Sequence, residues 1–239
     1  MLCDSIANGW QGIFPERTIG RKPAKPSTHS GFSDKNYESR SAAWVNGASM
    51  SDELNVNIPP RFAAATFETY HPANPDAKNN LEICREYADT WLSRKTAGEA
   101  LILCGTPGTG KTHLAVSIAR QVATEAQESV FITTAARIIR AFRRTWAGDA
   151  EYSELDVLEK YCGPGLLIID EIGVQYGTDS ERNILFEVIN DRYEDMLPTI
   201  MISNLPLNEL APLLGERVVD RMLEGGAVLS FNWPSYRSN

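Results

Sequence analysis

The chain is short of the residues that build metal centres and disulfide frameworks. Three histidines and four cysteines are scattered through 239 residues, and Cys3, Cys84, Cys104 and Cys162 form no Cys-x-x-Cys pair. Neither a zinc site nor a disulfide scaffold can be read from that spacing. Long apolar runs are missing too, since nothing approaches the ~18 residues of a membrane-spanning helix. The first 15 residues hold no lysine or arginine, so they do not read as a secretory signal. Positive charge is in deficit: 23 basic side chains face 31 acidic ones, for a formal charge of −8. That excludes a protein whose whole surface grips nucleic acid, but not a local basic patch on an acidic body. The expectation is a reduced, cytoplasmic protein, with 43% apolar residues to close a core.

Residues 1–57 lack apolar periodicity. The stretch Arg21-Lys-Pro-Ala-Lys-Pro-Ser-Thr-His-Ser-Gly31 leads into Ser-, Asn- and Gly-rich sequence as far as Asn57. Such a composition buries too little apolar surface to offset the entropy of ordering, so a flexible arm is expected. Its isolated aromatics (Trp10, Phe14, Phe32, Tyr37, Trp44) read either as anchors that order on a partner or as parts of a loose tail. Charge in the arm is nearly balanced, so the acidic excess falls on residues 58–239.

From Ile58 the texture changes. Leu81, Cys84, Tyr87, Ala88, Trp91 and Leu92 recur at the 3–4 spacing of one apolar face, which predicts a helix from Asn79 to Lys95. Five short apolar runs follow: Ala100–Cys104, Ser129–Thr133, Leu166–Ile169, Thr199–Ser203 and Ala227–Phe231. Between them lie helical patterns near 111–125, 135–146, 153–161, 180–194 and 207–223. Continuous hydrophobic strands separated by helices predict a five-stranded parallel sheet sandwiched by helices.

The first strand runs directly into Gly105-Thr106-Pro107-Gly108-Thr109-Gly110-Lys111-Thr112, a complete Gly-x-x-x-x-Gly-Lys-Ser/Thr loop. Glycines let backbone N–H groups curl around phosphate oxygens, Lys111 reaches the β- and γ-phosphates, and the Thr112 hydroxyl ligates Mg²⁺. The helix opening at His113 adds its N-terminal partial positive charge. ATP and Mg²⁺ are the expected cofactors. The strand Leu166-Leu-Ile-Ile-Asp170-Glu171 ends in two carboxylates. Asp170 is expected to hold the metal and Glu171 to take a proton from the attacking water. The strand ending at Asn204 places an amide that either orients that water or serves as a turn or helix cap.

With these pieces in place, the sequence resembles the AAA+ ATPases, and among them the DnaC-type helicase loaders and their IstB transposition-helper relatives. The residues that carry the likeness begin with Ile58-Pro-Pro-Arg-Phe62, Thr66-Phe-Glu-Thr-Tyr70 and Gly105 to Ala115. They continue with Asp170-Glu-Ile-Gly-Val-Gln175, Leu213-Leu-Gly-Glu-Arg-Val-Val-Asp-Arg-Met222 and Phe231-Asn-Trp-Pro-Ser-Tyr-Arg-Ser238. The likeness covers about residues 58–239, and its last three stretches are closer to the DnaC type. It implies that Asn204 is the sensor-1 residue and Arg237 the sensor-2 arginine touching the γ-phosphate. It also implies that Arg221, rather than Arg217, is the arginine finger that completes a neighbouring subunit's site. From spacing alone, Arg217 and Arg221 would read as a helix face salt-bridged to Glu216 and Asp220. Only 35 residues follow Asn204, so no separate C-terminal lid domain is expected.

An arginine-rich segment follows the second strand. Arg137, Arg140 and Arg144 share one helical face, Arg143 lies beside them, and Phe142 and Trp146 complete the cluster. A positive stripe ending in an aromatic suits single-stranded DNA, and the resemblance puts DNA contacts on this insertion. The alternative is a solvated charged helix whose Trp146 caps the core. Thr178 and Ser180 stand where a second DNA contact would fall but lack the tyrosine of the relatives. The resemblance therefore implies an ATP-dependent helicase loader of phage or bacterial replication that self-assembles and binds single-stranded DNA and a DnaB-like ring helicase. Its hydrolysis would be weak without assembly. Loaders of this type recognise their helicase through an N-terminal helical domain, and residues 1–57 show no clear amphipathic helix. Two rivals stand beside this reading: a transposition helper on duplex DNA, and an ATP-gated replication adaptor with negligible turnover.

Overall fold

Five apolar runs become five parallel strands: β1 (Leu101–Gly105), β2 (Val130–Thr134), β3 (Leu166–Ile172), β4 (Thr199–Ser203) and β5 (Ala227–Phe231). The computed structural model describes residues 56–174 and 178–237. Strand order across the sheet is β2-β3-β4-β1-β5, so β1 lies between β4 and β5. Side chains alternate between the faces, as the period of two requires. Leu101 and Leu103 of β1 join one buried cluster with Leu114, Ile118 and Trp91, while Ile102 and Cys104 join the other with Phe142, Leu185 and Met222. Burial on both faces explains why the strands are continuous hydrophobic runs.

The helices are α1 (Pro75–Asp89), α2 (Trp91–Ala97), α3 (Lys111–Glu125), α4 (Ala135–Thr145), α5 (Glu154–Cys162), α6 (Asp179–Glu194), α7 (Leu207–Leu214) and α8 (Glu216–Leu223). Two helices expected as single pieces are broken. The segment predicted over Asn79–Lys95 starts earlier, because Asn74 accepts from the Ala77 N–H at 2.8 Å and Pro75 occupies the first turn. It breaks at Thr90, whose hydroxyl bonds back to the Glu86 carbonyl at 2.7 Å while its backbone leaves the helical region (φ −100°, ψ 23°). The pattern over 207–223 divides at Gly215, where φ 92° and ψ 140° suit a residue without Cβ.

The sheet's two ends are built differently. The carboxyl ends of the strands carry the glycine-rich loop after β1 and the paired carboxylates of β3. At the opposite end Arg192 of α6 is fully buried (0% exposed). Its guanidinium donates to the carbonyls of Tyr161, Cys162, Pro164, Gly165 and Pro198 and to the Thr199 hydroxyl, at 2.7–3.5 Å. Burial lowers its pKa to about 10, so it stays charged at neutral pH.

Most of the expected arm lies outside the described residues. Its last two positions, Val56 and Asn57, are held on the sheet: Val56 is buried and bridges Val130. The Asn57 side chain accepts from Ile132 N at 2.7 Å and donates to Ile132 O at 2.8 Å. That amide imitates a strand rung and covers part of the open edge of β2. After β5, residues 232–237 form no further helix or strand. Among the described residues no helix is long and apolar enough to cross a membrane.

Candidate functional site

The glycine-rich loop joins β1 to α3 at the carboxyl edge of the sheet. Gly108 (φ 77°) and Gly110 (φ 95°) take left-handed backbone angles that L side chains disfavour. A Cβ on Gly108 would fall 2.0 Å from Ser235 Oγ, and one on Gly110 would fall 2.5 Å from the Tyr70 ring. Lys111 is 4% exposed, with Nζ donating to the carbonyls of Gly105 (2.8 Å) and Thr106 (2.7 Å). Burial pulls its pKa down to about 8, Asp170 pulls it up, and the positive charge of Arg237 depresses it further. A buried ammonium whose hydrogen bonds go to neutral carbonyls is only partly compensated, so an anion in front of it would be strongly attracted.

The carboxylate pair sits on a bulge. Pairing of β3 with β4 shifts between Ile169 and Ile172, and Glu171 adopts φ 58°. Neighbours in a regular strand point to opposite faces; the bulge re-aims them, so that Asp170 and Glu171 both line one cleft. A left-handed backbone at a residue with Cβ costs about 1–2 kcal/mol, which the surrounding ladder must offset. The Thr112 hydroxyl donates to Asp170 Oδ2 at 2.8 Å. This convergence of hydroxyl and carboxylate oxygens suits a hard divalent cation such as Mg²⁺. Asp170 also pairs in register with Thr134, the residue that caps α4.

The cleft has a volume of about 530 Å³. Pro107, Gly108, Gly110, Lys111, Thr112 and His113 form its floor, with Asp170, Glu171, Asn204 and Arg237 around it. Gly105, Thr106 and Thr109 stand behind that floor: the first two offer carbonyls to Lys111, and buried Thr109 bonds through its hydroxyl to Thr106 O at 2.8 Å. Asn204 is exposed and does not cap α7, whose N-cap is Pro206. The opposite wall comes from residues outside the glycine-rich loop and the strand ends. It comprises Arg61, Phe62, Thr69, Tyr70, His71 and Tyr236. His113 Nε2 meets Thr66 O at 2.8 Å and ties this wall to α3. The proximity of Tyr70 and Tyr236 to the loop has no periodic signature in the sequence.

Arg221 is not among the residues lining the cleft. Its guanidinium lies over the rings of Phe186 (5.2 Å) and Tyr193 (5.4 Å) and donates to Asn190 Oδ1. Among the described residues no ion pair joins Arg217 or Arg221 to Glu216 or Asp220, so the salt-bridged reading of that helix does not hold. On α4, Arg137, Arg140 and Arg144 are exposed while Ile138, Ile139 and Phe142 are buried beneath them. Arg143 leaves the stripe for buried Glu181 at 2.9 Å. Trp146 is 55% exposed, so it does not cap the core, and its indole N–H donates to Glu154. Thr178 serves as the N-cap of α6, accepting from the Glu181 N–H at 3.3 Å, and Ser180 lies in that helix's first turn. Residues 175–177 lie outside the described residues.

The sequence profile of the family described as IstB-like ATP binding protein matches residues 65–239. The chain belongs to that family. The replicative helicase loader DnaC of Escherichia coli K12 is 36% identical over 182 residues, covering 76% of this chain and 72% of that protein. A crystal structure of the DnaC helicase loader superposes with a TM-score of 0.66 at 25% identity, covering 72% of this chain and 99% of that one. The DnaI structure, at 17% identity and TM-score 0.61 over 75% and 94% of the two chains, shares the fold. The architecture is thus a P-loop domain of AAA+ type, and the glycine-rich loop forms the floor of its cleft.

Proposed function

We propose that the chain is an ATP-dependent loader of a replicative ring helicase, acting in the cytoplasm on DNA being replicated. The observation that carries this reading is the 36% identity to DnaC over 182 residues. The cleft supplies the chemistry. Lys111 and the loop N–H groups would hold the β- and γ-phosphates, with Thr112 and Asp170 on Mg²⁺. The metal neutralises phosphate charge when bound. Glu171 takes the proton of the attacking water, Asn204 orients that water, and Arg237 contacts the γ-phosphate. Arg221 of one copy completes the next copy's site, an addition worth ~10³–10⁵ in rate, so an isolated copy turns over slowly. Arg137, Arg140 and Arg144 track the backbone of single-stranded DNA, and Trp146 stacks a base for ~1–3 kcal/mol. The segment before Val56 is the partner-binding arm; Val56 and Asn57, expected in that arm, belong instead with the ATPase, whose sheet they cover. Hydrolysis then acts as a switch for grip and release of the helicase.

The test is co-elution of the full-length chain with the replicative helicase of its host, with and without MgATP and single-stranded DNA. A complex that forms, and that nucleotide and DNA modulate, is expected. A stable ATP-dependent filament on duplex DNA with no helicase complex would overturn this reading in favour of a transposition helper.

A further inference from the structure

The glycine-rich loop is held from outside its own motif. A trans peptide is planar, so its C=O and the following N–H point in opposite directions. Whatever fixes a loop carbonyl therefore fixes where the next N–H points. The Gly105 and Thr106 carbonyls are taken by Lys111 Nζ. The Gly108 carbonyl accepts from the Tyr236 N–H at 2.9 Å. The Thr109 carbonyl accepts from the Tyr70 hydroxyl at 3.3 Å. Two segments far apart in sequence thus each hold one loop peptide by its carbonyl.

We infer that Tyr70 is a positioning residue for the phosphates: by holding the Thr109 carbonyl, its hydroxyl aims the Gly110 N–H into the cleft. The ring is set for this task. It lies against Gly110, where a Cβ would meet its Cε2 at 2.5 Å, and packs edge-on to His113 (5.5 Å) and Tyr236 (6.0 Å). Burial, and then the neighbouring Tyr236 hydroxyl, push the Tyr70 ionisation well above its usual range, so the hydroxyl keeps its proton. The Gly108 peptide is held from the tail that carries Arg237, so the same loop is braced on both sides. A loop peptide left without its brace can rotate, and an anion must then stop that rotation when it binds.

This inference rests on the nucleotide reading of the cleft. Tyr70→Phe keeps the ring and removes only the donor. In the full-length protein with Mg²⁺, affinities for ATP and for inorganic triphosphate should both fall by the same factor of about 3–10, the usual net value of one hydrogen bond, while the melting transition stays cooperative. The affinity for adenosine alone should not change. Unchanged triphosphate affinity in Tyr70→Phe overturns the inference, whether ATP affinity holds or falls; a fall confined to ATP and adenosine assigns Tyr70 to the nucleoside. Failure of the wild-type chain to bind either ATP or triphosphate would overturn the nucleotide reading itself.

Discussion

Nucleotide affinity should weaken with rising pH much sooner than an ordinary lysine would allow. Lys111 titrates at about 8 in the ligand-free cleft because burial penalises its charge. Only the protonated ammonium attracts the phosphates. Between pH 7 and 9 its charged fraction falls from about ten-elevenths to about one-eleventh, a roughly tenfold loss of affinity or ~1.4 kcal/mol. A lysine of ordinary pKa would lose only about 3% of its charge over that range, and the terminal phosphate, with a second pKa near ~6, is already ionised. Fluorescence titration with a Mg-nucleotide at constant ionic strength reads the affinity. Calorimetry in two buffers at pH 8 should show uptake of about half a proton per site, because the bound phosphates restore the charge. Ligand-free stability should move the other way. Between pH 8 and 10.5 the unfolded chain carries a proton that the folded lysine has released, so this group makes the domain more stable as pH rises. An affinity flat from pH 7 to 9, with no proton uptake, would refute the reasoning.

Arg192→Met should lower stability by ~3–5 kcal/mol, since it withdraws the guanidinium from five loop carbonyls, of which the Pro198 carbonyl keeps the Leu167 N–H. In a domain of this size that is a fall of roughly 6–20 °C in the melting temperature, readable by circular dichroism. Arg221→Ala should keep MgATP binding within about twofold and lose at least ~100-fold in assembled turnover. Mixing it with Lys111→Ala should restore part of the rate, and a mixture as inactive as its components would remove Arg221 from the role of finger. Arg140→Ala combined with Trp146→Ala should weaken single-stranded DNA binding by about tenfold and reduce the salt slope by roughly one unit, measured by anisotropy across a salt series.

The sequence made the sheet and the cleft floor legible because their residue types are chemically obligatory. A phosphate cradle demands glycines, a lysine and a hydroxyl in a fixed order, and strands buried on both faces demand unbroken apolar runs. The helix breaks were less visible. Gly215 is an ordinary stop signal inside a continuing amphipathic pattern, whereas Thr90 breaks its helix through a local hydroxyl contact. The far wall was hidden for a different reason: Arg61, Phe62, Tyr70 and His71 reach the cleft through tertiary closure of a stretch without periodicity. Arg192 was the hardest to foresee. An arginine in a helical pattern reads as solvent-facing, and only the arrangement of neighbouring loop carbonyls makes a buried guanidinium affordable.

The rung joining Thr134 to Asp170 has a mechanical consequence. Helix α4 starts at that rung and runs 11 residues to the position before Trp146, a rigid arm of about 16 Å at 1.5 Å per residue. Its pivot therefore sits one strand spacing from Asp170, and its arginines lie progressively farther out. A tilt of about 5° at Thr134 carries the far end roughly 1.4 Å, while the same tilt hardly moves Arg137. Displacement grows with distance along the stripe, so Arg144 and Trp146 would register a disturbance at Asp170 that the innermost arginine scarcely feels.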